Sequence, residues 1–281
     1  MLKSMYSGIS GMKANQTKMD VVGNNVANSG TTAFKKSGVR FSDALNQTII
    51  YSSSPGKTVG GVNPGQVGVG AKVSSIEKYM TQGAIQPTGR PTDLAIDGDG
   101  FFVIEMDKKK DIIVEGYTRD GSFSLDANGN LVTSKGYKVL NTNDEPVTIP
   151  KEYGATPTAV KKKVVSFNIS TEGNLTYLLE DGTKVENLQK LKVAVFQNDS
   201  GLEAINGNIY SDTANSGKPL YNTGAASARI GLVNQGYIEM SNIDLSEEFT
   251  DMIVATRAFQ AAGKVITTSD ELLQEILNLK R

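Results

Sequence analysis

The sequence predicts an α+β multidomain fold, with N- and C-terminal helices paired as a coiled coil and a mainly-β domain inserted between them. Two features predict the helices: apolar stripes at heptad-like spacing, one at each end of the chain. A third predicts the insert, namely short β-rich runs separated by Asp-Gly, Asn-Gly and Lys-Gly turn signals.

At the N-terminal end, Leu2, Met5, Ile9, Met12, Met19 and Val26 recur at spacings of three and four, with Gln16 and Gly23 breaking the stripe. A helix over residues 1–27 would run roughly 40 Å at about 1.5 Å per residue. The segment GNNVANSGTTAFKKS (23–37) has too many turn formers to prolong it. Asparagine and glycine tolerate left-handed backbone, so the segment reads as a helix exit.

At the C-terminal end, Asp244-Leu245-Ser246-Glu247 reads as a capping box, with Asp244 accepting from backbone amides and Glu247 reaching back. Leu245, Met252, Phe259, Ile266 and Leu273 then recur every seven residues. Three positions further on stand Glu248, Ala255, Ala262, Ser269 and Ile276, mostly small, so that another helix can approach closely. No proline interrupts residues 242–281, and a helix of about 36 residues would be roughly 55 Å long. It cannot bury its stripe against itself and needs a partner.

The N-terminal helix is the obvious partner. Lys3, Lys13 and Lys18 against Asp20 leave it positive, whereas acids outnumber bases in the C-terminal helix. Exposed ion pairs contribute about 0–1 kcal/mol each, against a gross ~1.5–3 kcal/mol per well-buried large side chain, so the apolar seam dominates. Two readings of the pattern stand: a two-helix layer on a globular core, or a coiled coil that associates with copies of itself.

Residues 91–221 form the predicted outer β domain. Asp97-Gly98-Asp99-Gly100, Asp120-Gly121 and Asn128-Gly129 fit tight hairpin turns, and the triplets Lys108–Lys110 and Lys161–Lys163 fit soluble loops or edges. Residues 29–90 with 222–243 are assigned to an extended connecting domain, and 1–28 with 244–281 to the terminal helical domain. A connection as long as 29–90 is unusual inside a compact protein, so it is either disordered alone or ordered by its neighbours.

Composition narrows the chemistry. The 281 residues have a formal net charge of -1 and contain no cysteine, histidine or tryptophan. That removes disulfides, thiolate and imidazole metal sites and their catalysis, and leaves no basic field for nucleic acid. The start MLKSMYSGIS lacks the apolar run of a secretory signal, and no run of 18 apolar residues spans a membrane. Gly56-Lys57-Thr58 is not a phosphate-binding loop, because Tyr51 stands where its first glycine should be. Gly68-Val69-Gly70 lacks the third glycine of a dinucleotide fingerprint. Counting a calcium loop from Asp97 puts Phe102 at the glycine position, so turn chemistry explains Asp93, Asp97 and Asp99 better. No catalytic, cofactor or metal residue is expected.

Four segments, in order, resemble the bacterial flagellar axial proteins, the rod and hook subunits. The first is the opening stretch with Asn24, Asn25, Val26, Ala27 and Asn28, then Thr32 and Phe34-Lys35; the family usually has glycine where this chain has Ala33. PTDLAIDGDGFFVI (91–104), YTRDGSFSLDANGNLVTSKGYKVL (117–140) and GYIEMSNIDLSEEFTDMIVATRAFQAAGKVITTSDELLQEILNLKR (236–281) are similar to the family's later signatures. FSDALNQTI (41–49) with GGVNPGQVGVGAKVSSI (60–76) looks more like the short hook proteins of Gram-positive bacteria than the distal rod protein.

The resemblance implies a helical homopolymer whose terminal helices line an inner tube. The chain is expected to be an extracellular hook subunit acting as a universal joint, with the distal rod of the basal body as the alternative. Expected partners are copies of itself, other rod proteins, the hook cap, hook-filament junction proteins and the flagellar export apparatus. Export without a cleaved signal peptide is expected, with no nucleic acid, small-molecule substrate or cofactor. The motif residues Asn24, Asn25, Ala27, Asn28, Thr32, Phe34 and Lys35 are expected to form a joint whose polar side chains meet a neighbouring subunit. Two other classes fit the sequence less well. A monomeric surface β domain binding a ligand on a helical stalk is disfavoured by sparse aromatics, and a carboxylate hydrolase by the lack of paired acids.

Overall fold

The computed structural model describes residues 2–55, 60–109, 112–153, 162–222 and 229–279. Gly56-Lys57-Thr58, Lys110, Lys161 and the side chains of Leu2, Lys108 and Lys109 lie outside the described residues. The chain is mixed α+β, with one long helix at each end and β structure between them. It divides into two compact units, a helical unit of residues 1–29, 36–79 and 243–281, and a β unit of residues 30–35 and 80–242.

In the helical unit, α1 (Leu2–Ala27) and α2 (Leu245–Leu279) are both continuous. Asp244 caps α2 through its carboxylate, which accepts from the amides of Ser246 at 2.8 Å and Glu247 at 3.4 Å. The other half of the capping box is absent. Glu247 does not reach back; its carboxylate takes Lys36 Nζ at 2.8 Å, a cation that outcompetes a neutral amide. The described part of residues 36–79 is not a structureless connection. Strand Ser37–Asp43 pairs antiparallel with Ala71–Lys78, its register slipping between Arg40 and Phe41. Asn46–Ile50 pairs with Gly65–Gly68 to extend the same long hairpin.

The β unit is built around the strand Phe101–Lys109, whose first four residues are all fully buried. Phe102 and Ile104 face a core with Leu94, Phe123, Leu131 and Leu175, while Phe101 and Val103 face a second core with Tyr117, Phe196 and Tyr210. Such a continuous apolar run is what a strand covered on both faces requires. Rings meet edge-on in both layers, Phe102 with Phe123 at 5.3 Å and Tyr117 with Phe196 at 4.8 Å. A nine-stranded sheet carries these layers, and a four-stranded sheet (Glu152–Tyr153, Lys162–Ile169, Asn174–Leu179, Lys184–Lys190) packs apolar side chains onto the first of them.

One of the three expected hairpin turns forms. Asn128-Gly129, with Gly129 at φ 82°, links Ser124–Leu125 to Leu131–Val132. Asp97–Gly100 instead passes between sheets, because Leu94–Asp97 pairs with Leu232–Gln235 and not with Phe101–Lys109. Gly121 serves close approach: a Cβ there would lie 1.5 Å from Leu94 O. Among the described residues no helix is long and apolar enough to cross a membrane, and no group of three acidic side chains is placed to hold a metal ion.

Candidate assembly seam and joint

α1 and α2 run antiparallel. Asn25 Nδ2 donates to Glu248 Oε2 at 3.0 Å near one end, and the Ser4 and Ser269 hydroxyls meet at 3.2 Å near the other. Between them, Lys18 Nζ sits 3.1 Å from Asp251 Oδ1, and Thr256 Oγ1 lies 3.7 Å from Met19 Sδ. On α2 the expected seam residues Met252, Phe259, Ala262, Ile266 and Leu273 are half-buried and Ala255 is fully buried, whereas Leu245 and Ile276 are exposed.

On α1 the tightest contact lies one step round from the large side chains. Gly8, Ala14, Val22 and Asn25 are its buried residues. A Cβ on Gly8 would meet Ile266 Cγ1 at 2.9 Å, and one on Gly11 would meet the Ala262 Cβ at 3.7 Å. Met5, Met12, Met19 and Val26 flank that line half-buried, and Ile9 is exposed. Spacing of large apolar residues therefore found the helix but not its closest face, which glycine marks by allowing the backbones together.

A second face of α2 has no cover among the described residues. Val254, Val265, Leu272, Ile276 and Leu279 are 42–82 % exposed. Their spacings (11, 7, 4 and 3) return to one side of a helix. Residues 270–279 also lie beyond the Ser4–Ser269 contact. Of this stripe only Ile276 was among the expected seam residues, although the same heptad count on the neighbouring positions would have found the rest.

The joint motif divides between the units. Asn24 and Ala27 are exposed, and Asn28 donates to Asn24 O at 2.9 Å. Asn25, 1 % exposed, works inside the helical unit: its amide donates to Ser37 O at 2.9 Å and accepts from Ser37 N–H at 3.0 Å, like a strand neighbour. In the β unit, Thr32 Oγ1 donates to Asp120 Oδ1 at 3.1 Å, and Phe34 O accepts from Asn242 N–H at 3.4 Å. Lys35 Nζ donates to Glu239 Oε1 at 2.5 Å and to Thr81 O at 2.7 Å. Asn25, Thr32 and Lys35 thus find hydrogen-bond partners within their own chain, as burial requires of Asn25 and Lys35. Burial pulls the Lys35 amine below the ordinary lysine value, with Glu239 opposing the shift. Lys36 is held above it, chiefly by its bond to Glu247.

Three segments of the chain match known protein families. Residues 5–35 match the family described as flagella basal body rod protein, 95–177 the flagellar hook protein FlgE/F/G D1 domain, and 234–279 the flagellar basal body rod FlgEFG protein C-terminal. The chain is 44 % identical over 281 residues to the flagellar basal-body rod protein FlgG of Bacillus subtilis, with both chains fully covered. This chain belongs to the flagellar axial protein family. Other axial relatives include FlgG of Borreliella burgdorferi, 37 % identical over 286 residues with both chains fully covered. The hook protein FlgE of the same organism is 28 % identical over an alignment of 448 residues, again covering both chains. As a member of this structural family of rod and hook proteins, the chain has its place in the axis of the bacterial flagellum.

Proposed function

We propose that this chain is a distal rod subunit of the flagellar basal body, polymerising with copies of itself into a straight tube that transmits torque. This revises the hook expectation. The observation that carries it comes from a single organism, where the rod relative aligns over 286 residues at 37 % identity and the hook relative needs 448 at 28 %. Segments 41–49 and 60–76, which favoured the hook, fall in a hairpin whose exposed side chains are free to vary between members and therefore discriminate poorly.

The uncovered stripe of α2 supports self-association. Apolar patches of this kind on a soluble chain mark interaction sites. Here the occupant is a second copy, and a head-to-tail contact between unlike surfaces propagates as an open helix. The function is mechanical rather than catalytic, and the partners are neighbouring axial proteins and the export apparatus. Electron microscopy of basal bodies from a deletion strain tests the placement. Truncated rods without hooks, restored by the cloned chain, are expected; full-length rods lacking only the hook would return the hook reading.

A further inference from the structure

The β unit contains a buried ionic group that neither the seam nor the family match explains. Glu239 lies at its centre, 1 % exposed, between two cations that are themselves buried, Lys35 at 1 % and Arg119 at 3 %. Its Oε1 accepts from Lys35 Nζ at 2.5 Å and from Gly83 N–H at 2.8 Å, and its Oε2 accepts from Arg119 Nη1 at 3.2 Å. Arg119 Nη2 donates to Gly98 O at 2.7 Å, and its guanidinium stacks 5.4 Å from the Phe101 ring centre. The Glu239 backbone joins in, its carbonyl accepting from Ala33 N–H at 2.8 Å. Thr81 adds a further tie, its carbonyl taking Lys35 Nζ and its hydroxyl taking Asn242 Nδ2 at 2.8 Å.

We propose that Glu239, Lys35 and Arg119 form a clasp that locks the segment of residues 30–35 onto the β unit, so that load on that segment enters the unit through Glu239. The mention of load rests on the axial-subunit reading; the locking does not. Three things distinguish a clasp from ordinary core. One carboxylate serves two cations, so the three positions are not equivalent. The bonds join residues far apart in sequence, at 33, 35, 81, 83, 119, 239 and 242. They also lie beside the points where the chain leaves the unit, after residues 35 and 242.

The asymmetry sets the test, amide hydrogen exchange on the full-length chain. Lys35→Met leaves a neutral Glu239–Arg119 pair, so the unit stays folded while the Ala33 amide exchanges on the order of 10- to 100-fold faster. Glu239→Gln strands two cations together and is the more damaging change. Adding Lys35→Met to Glu239→Gln relieves that repulsion and recovers part of the lost protection, a rescue that simple packing would not produce. Unchanged Ala33 exchange in Lys35→Met overturns the clasp, as does a double variant no better than Glu239→Gln alone. Should Glu239→Gln fail to fold, the Lys35→Met exchange decides by itself. Tube formation is not the readout, so failure of the rod assignment and failure of the clasp are separately visible.

Discussion

Ala33 holds a backbone conformation that alanine resists. Its φ is 53°, its side chain is fully buried, and its amide is held by Glu239 O. The left-handed region costs an L-residue roughly 1–2 kcal/mol, which fits the glycine that the family usually places there. Ala33→Gly removes that strain and one small buried methyl together, so stability should change by no more than about 0.5 kcal/mol. Ala33→Val should lose about 2 kcal/mol or more, because a β-branched residue is poorly tolerated at positive φ. Denaturant unfolding of both variants checks the pair. A second residue-scale prediction concerns alkali. Burial pushes the Tyr210 hydroxyl up to about 12, and burial also raises Tyr117 and Tyr221. The folded chain keeps these protons after the unfolded chain has lost them near pH 10, so their stabilisation is complete below that pH. It fades as pH rises through about 12, with Tyr210 alone worth of order 2–3 kcal/mol. Tyrosinate absorbance should therefore lag in the native protein and rise with unfolding; a normal titration near pH 10 without unfolding would refute this.

At the scale of elements, the helix pair shows what a sequence does and does not reveal. Heptad spacing placed both helices because large apolar residues recur along them, and of its α2 positions Met252, Phe259, Ala262, Ile266 and Leu273 are half-buried while Leu245 and Ile276 are exposed. The facing line of α1 escaped, since Gly8 and Gly11 contribute by absence of bulk. Asn25 and Lys35 were legible as motif residues, yet their partners Glu248 and Glu239 stand more than 200 residues away, a separation no local pattern carries. The DGDG turn misled for a related reason: turn chemistry fixes a local bend but not which strand comes next to which. Gly8→Val should force α1 away from Ile266 and cost about 1–3 kcal/mol of pair stability. Phe259→Asp or Met252→Lys, which bury an unpaired charge, should abolish assembly. Sedimentation of the polymer fraction reads all three, and wild-type yields would show that the seam lies elsewhere.

For the whole molecule, the two units differ in how they are held. The β unit owns both described cores, whereas the helical unit rests on a narrow seam and leaves a second apolar stripe of α2 open. The helices should therefore protect their amides weakly in the free monomer and strongly once neighbours cover them. Strong protection of residues 2–27 and 245–279 in the monomer would contradict ordering on assembly. The most direct test of the central claim is electron microscopy of the purified chain beside a version lacking residues 245–281. The account predicts straight helical tubes from the full chain, and a folded but monomeric β unit from the truncation. Tubes formed by the truncated chain, or a full chain that stays monomeric at every concentration, would contradict it.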